Sequence, residues 1–306
     1  MEFVFKYDED IEKRVDFFLS EKLEFSRSLI ASSIKEKKIV VNGNFIKPSY
    51  KLINGDIVSG IVVENKILIK KNDIPLDILF EDEYLMVINK AYGISVHPSL
   101  SDKADTVVGS LITHTDNLSD VEGEYRRGIV HRLDKDTSGA LIIAKDNKTH
   151  YLLKEMFQNR KIEKKYLAIC SGTIKEDEFT ISSYIGRDKY NKTIISSNTN
   201  YPKLAKSKIK LISKNDEYLL LEVEIFTGRT HQIRVQLSEN HIYILGDKVY
   251  GRKKEKIIAK RQMLHAYKLK FYHPITGELL NIIAPLDESF KKILYKTNLK
   301  LDESKL

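Results

Sequence analysis

Leu221, Val223 and Ile225 alternate with Glu222 and Glu224, the period of two that an antiparallel strand shows when one face is buried and the other wet. Lys164–Ile169 reads as a second half-buried strand, and Leu76–Phe80 and Tyr84–Asn89 as two more, joined by the acidic turn Glu81-Asp82-Glu83. Two unbroken apolar stretches, Ile129-Val130 and Ala140–Ala144, predict strands buried on both faces. Helical spacing appears elsewhere. Asp10 stands where a cap would precede a helix with Ile11, Val15, Phe18 or Leu19, and Leu23 on its inner face. Ser26 likewise precedes Leu29, Ile30 and Ile34, leaving Arg27, Lys35, Lys37 and Lys38 outside. Thr106–Thr113 predicts a short helix, and Asn147–Arg160 a longer one with Tyr151, Leu152, Met156 and Phe157 near one face. Asn42-Gly43, after Ile39-Val40-Val41, is a strong hairpin signal. Residues 187–203 read as a loop or loose hairpin, Arg252–Arg261 as a solvated basic loop, and Lys291–Leu306 as a charged end that frays.

Between Ile129-Val130 and Ala140–Ala144 lies His131-Arg132-Leu133-Asp134-Lys135-Asp136-Thr137-Ser138-Gly139. A charge-rich loop suspended between buried strands is costly, and function concentrates in such loops. The alternative is an ordinary turn in which Asp136 and Ser138 bond their own backbone. Composition narrows the choice. Of 306 residues 42% are hydrophobic and 31% charged, enough for two domains and a sizeable core. No apolar run approaches the ~20 residues that span a bilayer, and the opening Met1–Lys6 lacks the apolar core of a signal peptide. A lone cysteine, Cys170, excludes an internal disulfide framework and a cysteine metal site. These features predict a cytoplasmic protein with no membrane partner, expected to be a monomer. The net charge of +8 suits a polyanionic partner.

Residues 131–139 resemble the signature of the RluA/RluD-type pseudouridine synthases, over nine consecutive positions. Lys90-Ala91-Tyr92-Gly93 through His97-Pro98 is similar to a second segment of that family, with Ala91 where the pattern has proline. Lys164-x-Tyr166, Thr227-Gly228-Arg229-Thr230-His231-Gln232-Ile233-Arg234, Gly246–Gly251 and Leu264-His265-Ala266 complete the pattern in order. Arg14–Asp16, Ser26-Arg27 and Val41-Asn42-Gly43 look like an S4 domain, a family that binds structured RNA.

The resemblance implies an α+β fold: an S4-like module over 1–60, a linker over 61–74, a catalytic domain over 75–295 built on a mostly antiparallel sheet with flanking helices, and a charged tail over 296–306. It implies that Asp134 is the catalytic carboxylate, that Tyr166 stacks on the flipped base while its hydroxyl assists proton removal from C5, that Arg229 and His231 contact the substrate, and that RNA is the substrate, large-subunit ribosomal RNA foremost and transfer RNA second. Pseudouridine formation is redox-neutral, so no metal or nucleotide cofactor is expected. A base pocket is largely desolvated, so an ionised aspartate there needs a cation within about 4–6 Å. Arg234 is the first candidate and Arg229 the alternative. If Thr227–Arg234 opens a helix, Thr230 and Arg234 share one of its faces and His231 and Val235 another. Arg132 would fill the vacated base stack, His131 contact the RNA backbone, and Thr137 and Ser138 brace the loop through backbone bonds. Arg27, Lys35, Lys37 and Lys38 would carry RNA binding by the S4-like module. Two rival readings are a metal-dependent hydrolase using His131, Asp134, His231 and His265, and a non-catalytic RNA-binding factor on the same fold.

Overall fold

The computed structural model describes residues 1–63, 69–98 and 104–302, which divide into two compact units, Met1–Lys66 and Ile67–Leu306. In the first, strands β1 (Glu2–Lys6), β2 (Ile39–Val41), β3 (Asn44–Phe45) and β4 (Ile57–Ile61) form a sheet in the order β1-β4-β2-β3. Helices α1 (Val15–Lys22) and α2 (Arg27–Lys35) supply Phe18, Leu19, Ile30 and Ile34 to its core. Ser26 caps α2, its hydroxyl accepting from the Leu29 N–H at 3.3 Å. Asp10 caps nothing: α1 starts only at Val15, and Ile11 is 78% exposed. The reason is non-local. Lys13–Arg14 pairs as a short strand with Lys51–Leu52, which pulls this backbone out of the helix.

The second unit is built on one large, mostly antiparallel sheet, so the molecule is α+β. Its main strands are β5 (Ile78–Glu81), β6 (Leu85–Lys90), β7 (Ser138–Ala144), β8 (Glu163–Ser171), β9 (Glu178–Arg187), β10 (Lys203–Lys214), β11 (Tyr218–Ile225), β12 (Leu264–Tyr272) and β13 (Leu279–Ile283). They run β9-β10-β11-β8-β12-β7-β6-β5, with β13 beside β12, and Ile195–Ser196 extends the β9 edge. Four helices pack around them: α3 (Val107–His114), α4 (Asn147–Gln158), α5 (Gln232–Glu239) and α6 (Glu288–Lys296). On β7, Leu141 and Ile143 join a core with α3 and α6, while Ala140 and Ile142 join Leu153 of α4 on the other side. Burial on both faces accounts for the unbroken apolar run.

β7 and β12 form the parallel pair of this sheet, Ser138 opposite His265 and Gly139 opposite Ala266. The backbones approach so closely that a Cβ on Gly139 would lie 2.3 Å from the Ala266 carbonyl oxygen, and its φ of +115° is open to glycine alone. This contact fixes the end of the 131–139 loop against the sheet.

Three further expectations fail. Ile129-Val130 is not a strand: Ile129 makes one bridge to Ile143, and the β7 edge is satisfied by His131 Nε2, which accepts the Ile142 N–H at 2.8 Å. Tyr151 faces solvent, and the buried residues of α4 are Thr149, His150 and Leu153. Of the expected linker 61–74, residues 64–68 lie outside the described residues, and the Asn72 side chain donates to Thr106 O at 3.1 Å within the second unit. The C-terminal segment does not fray up to residue 302. Asp287 caps α6, and Phe290, Ile293 and Leu299 are buried.

Candidate active site

The 131–139 loop opens onto a cleft of about 510 Å³. All seven residues expected there line it: His131, Arg132, Asp134, Tyr166, Arg229, His231 and Arg234. Asp134 is 18% exposed at its side chain, enough to meet a bound molecule. Arg234 Nη1 donates to Asp134 Oδ2 at 2.9 Å. Arg229 instead donates from Nε to the Leu204 carbonyl at 3.1 Å, so the cation that reaches the carboxylate is Arg234. His231 Nε2 stands 4.0 Å from Asp134 Oδ2, beyond hydrogen-bond range.

Arg234 is itself clamped from behind. Its Nε and Nη2 donate to the two oxygens of buried Asp247 at 2.7 and 2.9 Å, a bidentate fork. Burial works against the Arg234 charge, but the two carboxylates outweigh it and hold its pKa above the ordinary arginine value. Burial likewise opposes the Asp247 anion, yet Arg234 and the N–H groups of Tyr250 and Val249 keep its carboxyl below the usual range. The guanidinium also lies 5.0 Å over the Tyr250 ring. The Tyr250 hydroxyl accepts the Ile195 N–H at 2.9 Å and lies 2.9 Å from His231 Nδ1. A hydroxyl proton donated to Nδ1 leaves the Nε2–H of a neutral ring facing Asp134.

The helix carrying Arg234 starts later than its sequence suggests. His231 is the N-cap in left-handed conformation (φ 54°) and α5 begins at Gln232, so Thr230 is not on it. Gln232 organises this turn: its side-chain carbonyl accepts from Thr227 Oγ1 and Arg229 N–H, and its amide donates to Lys206 O and Ser207 Oγ. Tyr166 on β8 is buried, and burial together with the Asp134 charge raises its pKa, so it is a neutral phenol. Lys164, two residues earlier, is pushed down to about 8 by burial and lies 5.2 Å over the Phe157 ring.

The loop closes on one backbone bond of its own, from Thr137 N–H to Asp134 O at 3.1 Å, and is braced further by remote side chains. Buried Lys90 donates to Lys135 O at 3.1 Å, and Arg261 Nη1 to Asp136 O at 3.3 Å. Gln262 Nε2 donates to Thr137 Oγ1 at 2.6 Å. The Ser138 hydroxyl donates to Asp287 Oδ2 at 2.9 Å and lies 2.8 Å from His265 Nδ1. Arg261, at the end of the basic stretch, is thus buried and paired with Asp287 rather than solvated. Sequence reading missed Asp247, Tyr250, Gln232, Lys90 and Asp287. Four of them carried a signal by standing within quoted motifs, Asp247 and Tyr250 in Gly246–Gly251, Gln232 in Thr227–Arg234 and Lys90 at the head of the 90–98 segment, whereas Asp287 carried none.

Three histidines around the loop are held neutral. Burial pushes His131 down to about 3, and His97 and His265 to about 4. Their folded pKa values lie below the unfolded ~6.5, so the unfolded state takes up protons first as pH falls. Stability is therefore expected to drop between pH 6.5 and 4, by about 1–2 kcal/mol per histidine at pH 5. Urea unfolding at pH 7.5 and 5.0 measures it, and His265→Gln should flatten the difference. An equal pH dependence in that variant counts against the assignment.

Arg27, Lys35, Lys37 and Lys38 lie on the first unit. Arg27 donates to Asp16 at 3.1 Å, and Lys38 to Glu36 at 2.6 Å. Lys35 and Lys37 are exposed, Lys37 lying 5.2 Å over the exposed Phe45 ring.

Among the described residues no group of three or more His, Cys, Asp and Glu side chains stands close enough to hold a metal ion. His131 is turned to the β7 backbone and His265 to Ser138 and the Ala284 carbonyl, so neither joins Asp134. No helix among the described residues is long and apolar enough to cross a membrane.

Residues 84–239, which hold Asp134, Tyr166 and Arg234, match the family model described as RNA pseudouridylate synthase. An RNA pseudouridine synthase of Bacillus subtilis is 37% identical over 94% of this chain and 95% of its own. The ribosomal large subunit pseudouridine synthase D of Neisseria meningitidis serogroup B is 33% identical over 92% of this chain and 78% of its own. Human RNA pseudouridylate synthase domain containing 4 shares the fold, with a TM-score of 0.57 over 73% of this chain and 94% of that one at 24% identity. By its matching model, its relatives and its α+β sheet, the chain belongs to the RNA pseudouridine synthase family.

Proposed function

We propose that this synthase isomerises uridines of large-subunit ribosomal RNA, with Asp134 as the carboxylate that acts on ribose C1′. The observation that carries the reading is the Asp134–Arg234–Asp247 chain, which fixes a carboxylate against a buried guanidinium in the cleft. The substrate follows from the Neisseria relative's name. In the reaction the C1′–N1 bond breaks, the base turns, C1′ joins C5, the C5 proton leaves and N1 gains one. Atoms and electrons balance without an oxidant or reductant. A negative carboxylate suits both attack on C1′ and stabilisation of positive charge there.

The uridine must leave its stack at a cost of a few kcal/mol. Exposed Arg132, two residues from Asp134, would occupy the vacated space. Tyr166, kept as a neutral phenol, suits a stacking surface better than a base. His131, its Nε2 committed to Ile142 N–H, acts through the loop rather than on the RNA backbone. Arg229, exposed on the cleft rim, suits phosphate contact.

Transcripts of large-subunit ribosomal RNA and of transfer RNA, tritiated at uracil C5, test the reading, because each turnover releases one tritium to water. Release from the ribosomal transcript with the transfer RNA silent supports it; the reverse reassigns the substrate, and release from neither removes the activity. Chelation with EDTA should leave release from a short, unstructured substrate unchanged. Loss restored by zinc or manganese would revive the hydrolase reading.

The first unit is read as the S4-like RNA-binding module, with Lys35 and Lys37, which form no ion pair among the described residues, as its phosphate contacts. Each phosphate contact contributes about one unit to the slope of log affinity against log salt. Lys35→Glu with Lys37→Glu should therefore weaken binding to structured RNA and flatten that slope while sparing chemistry at saturating RNA. An unchanged slope means that both lysines are merely solvated.

A further inference from the structure

Phe226 lines the cleft that holds Asp134, and a continuous exposed surface leads away from it. Its N–H donates to Lys206 O at 3.0 Å, and Lys206 Nζ lies 5.5 Å over its ring. On the neighbouring strands Ser182 pairs with Lys206 and Tyr184 with Leu204, so Tyr184, Leu204 and Lys206 share one sheet face. The opposite face is filled: Gln236 of α5 bonds Ser183, Ala205 and Ser207, and Val235 packs on Ile185. Tyr184 is 61% exposed, its ring available two strands across and two residues along from Phe226, about 12 Å away.

Charge changes along this face. Away from the cleft, lysines are neutralised within the sheet, Lys208 by Glu178 at 2.8 Å and Lys165 by Glu222 at 3.4 Å. Toward the cleft, segments 184–187, 203–206 and 226–229 hold no acid: Lys206 stands on the outer face with Tyr184, Arg229 lines the cleft, and Arg187 and Lys203 have the parity of Ile185 on the opposite face. Among the described residues none of these four cations forms an ion pair. A face that neutralises its charges at one end and at the other presents Lys206 and Arg229 beside the exposed Tyr184 ring and the half-buried Phe226 ring is complementary to a polyanion with stackable bases. That is unpaired RNA: bases stack on the rings and phosphates meet the cations, whereas a duplex offers no free base face.

We propose that Tyr184, Leu204, Lys206 and Phe226 form a track for the single-stranded RNA that flanks the target uridine, entering or leaving the cleft over the outer face of β9 and β10. The inference rests on the RNA-modifying reading of the cleft, and adds to it that the substrate is unpaired for at least a nucleotide or two beside the reacting base. Tyr184 supplies the outer stacking platform, and Lys206 a phosphate contact.

The test uses the full chain and two fluorescein-labelled probes, dodecauridylate and a 12-base-pair RNA duplex, read by anisotropy across a salt series. Tyr184→Ala should weaken dodecauridylate binding about ten-fold, in the range for loss of one stacked base, while Tyr184→Phe retains it. Lys206→Ala should lower the single-strand salt slope by about 0.7. Both sites are exposed, and matching melting midpoints check that the fold is intact. Parent affinity for dodecauridylate in both alanine variants overturns the track, as does an equal loss on the duplex. The two readings fail separately. A parent protein that binds dodecauridylate through Tyr184 yet releases no tritium refutes the synthase reading alone. One that releases tritium while Tyr184→Ala binds normally refutes the track alone.

Discussion

Asp134→Asn is expected to cut pseudouridine formation by about a thousand-fold or more, equivalent to ~4 kcal/mol of barrier, with RNA affinity and folding little changed. The amide keeps the shape of the carboxylate, and its oxygen can still accept from Arg234 Nη1. Arg234 loses one counter-charge but keeps the bidentate Asp247, so it is not left as an unpaired buried cation. What disappears is the anion that meets C1′. Single-turnover tritium release measures the loss, and anisotropy with the same RNA checks binding. Turnover within ten-fold of the parent would remove Asp134 from the chemistry. Affinity that falls in parallel with turnover would make it a binding residue.

Local pattern was enough to find what lies close in sequence. The alternation at Leu221–Ile225 and the double-sided run at Ala140–Ala144 state which strand faces are wet, because side-chain period follows directly from the pleat. Arg234 could be nominated because an ionised aspartate in a desolvated cleft requires a cation. Its own support could not. Asp247 lies 13 residues beyond Arg234, and Asp134 lies 100 before it, so their meeting is a property of how α5 sits on the sheet. Arg261 and Asp287 show the same limit. Arg261 ends a basic stretch that reads as solvated, yet it is buried beneath the 131–139 loop and paired with the partly buried Asp287, where the two hold Asp136 O and Ser138 Oγ. Asp10 failed for a related reason. Its helical spacing is sound, but pairing of Lys13–Arg14 with a strand 38 residues later takes that backbone first.

Arg234→Ala is the second substitution with a large expected effect, and its signature is a split between chemistry, stability and pH. Removing the guanidinium leaves Asp247 buried with only the Val249 and Tyr250 N–H groups as partners, at a cost of about 3–5 kcal/mol for a broken buried pair. Arg234→Lys restores a charge, but an ammonium cannot fork onto Asp247 while reaching Asp134, so it should recover stability only in part. Turnover should fall at least about a hundred-fold in the alanine variant, ~2.7 kcal/mol of barrier, with RNA affinity less affected, because the partner of Arg234 is a carboxylate and not a phosphate. The pH dependence separates this from simple loss of packing. In the parent, Arg234 helps to hold the folded pKa of Asp247 below its unfolded value, so the stabilisation is present at neutral pH and lost only as pH falls through the folded value. Without Arg234 burial dominates, the folded pKa rises above the unfolded one, and the variant recovers stability as the carboxyl takes up a proton. The deficit relative to the parent should thus shrink from pH 8 to pH 5 in urea unfolding. A deficit that stays constant over that range would show that Asp247 is not the group left exposed to burial. Normal single-turnover rates with weakened binding would place Arg234 on the RNA backbone instead.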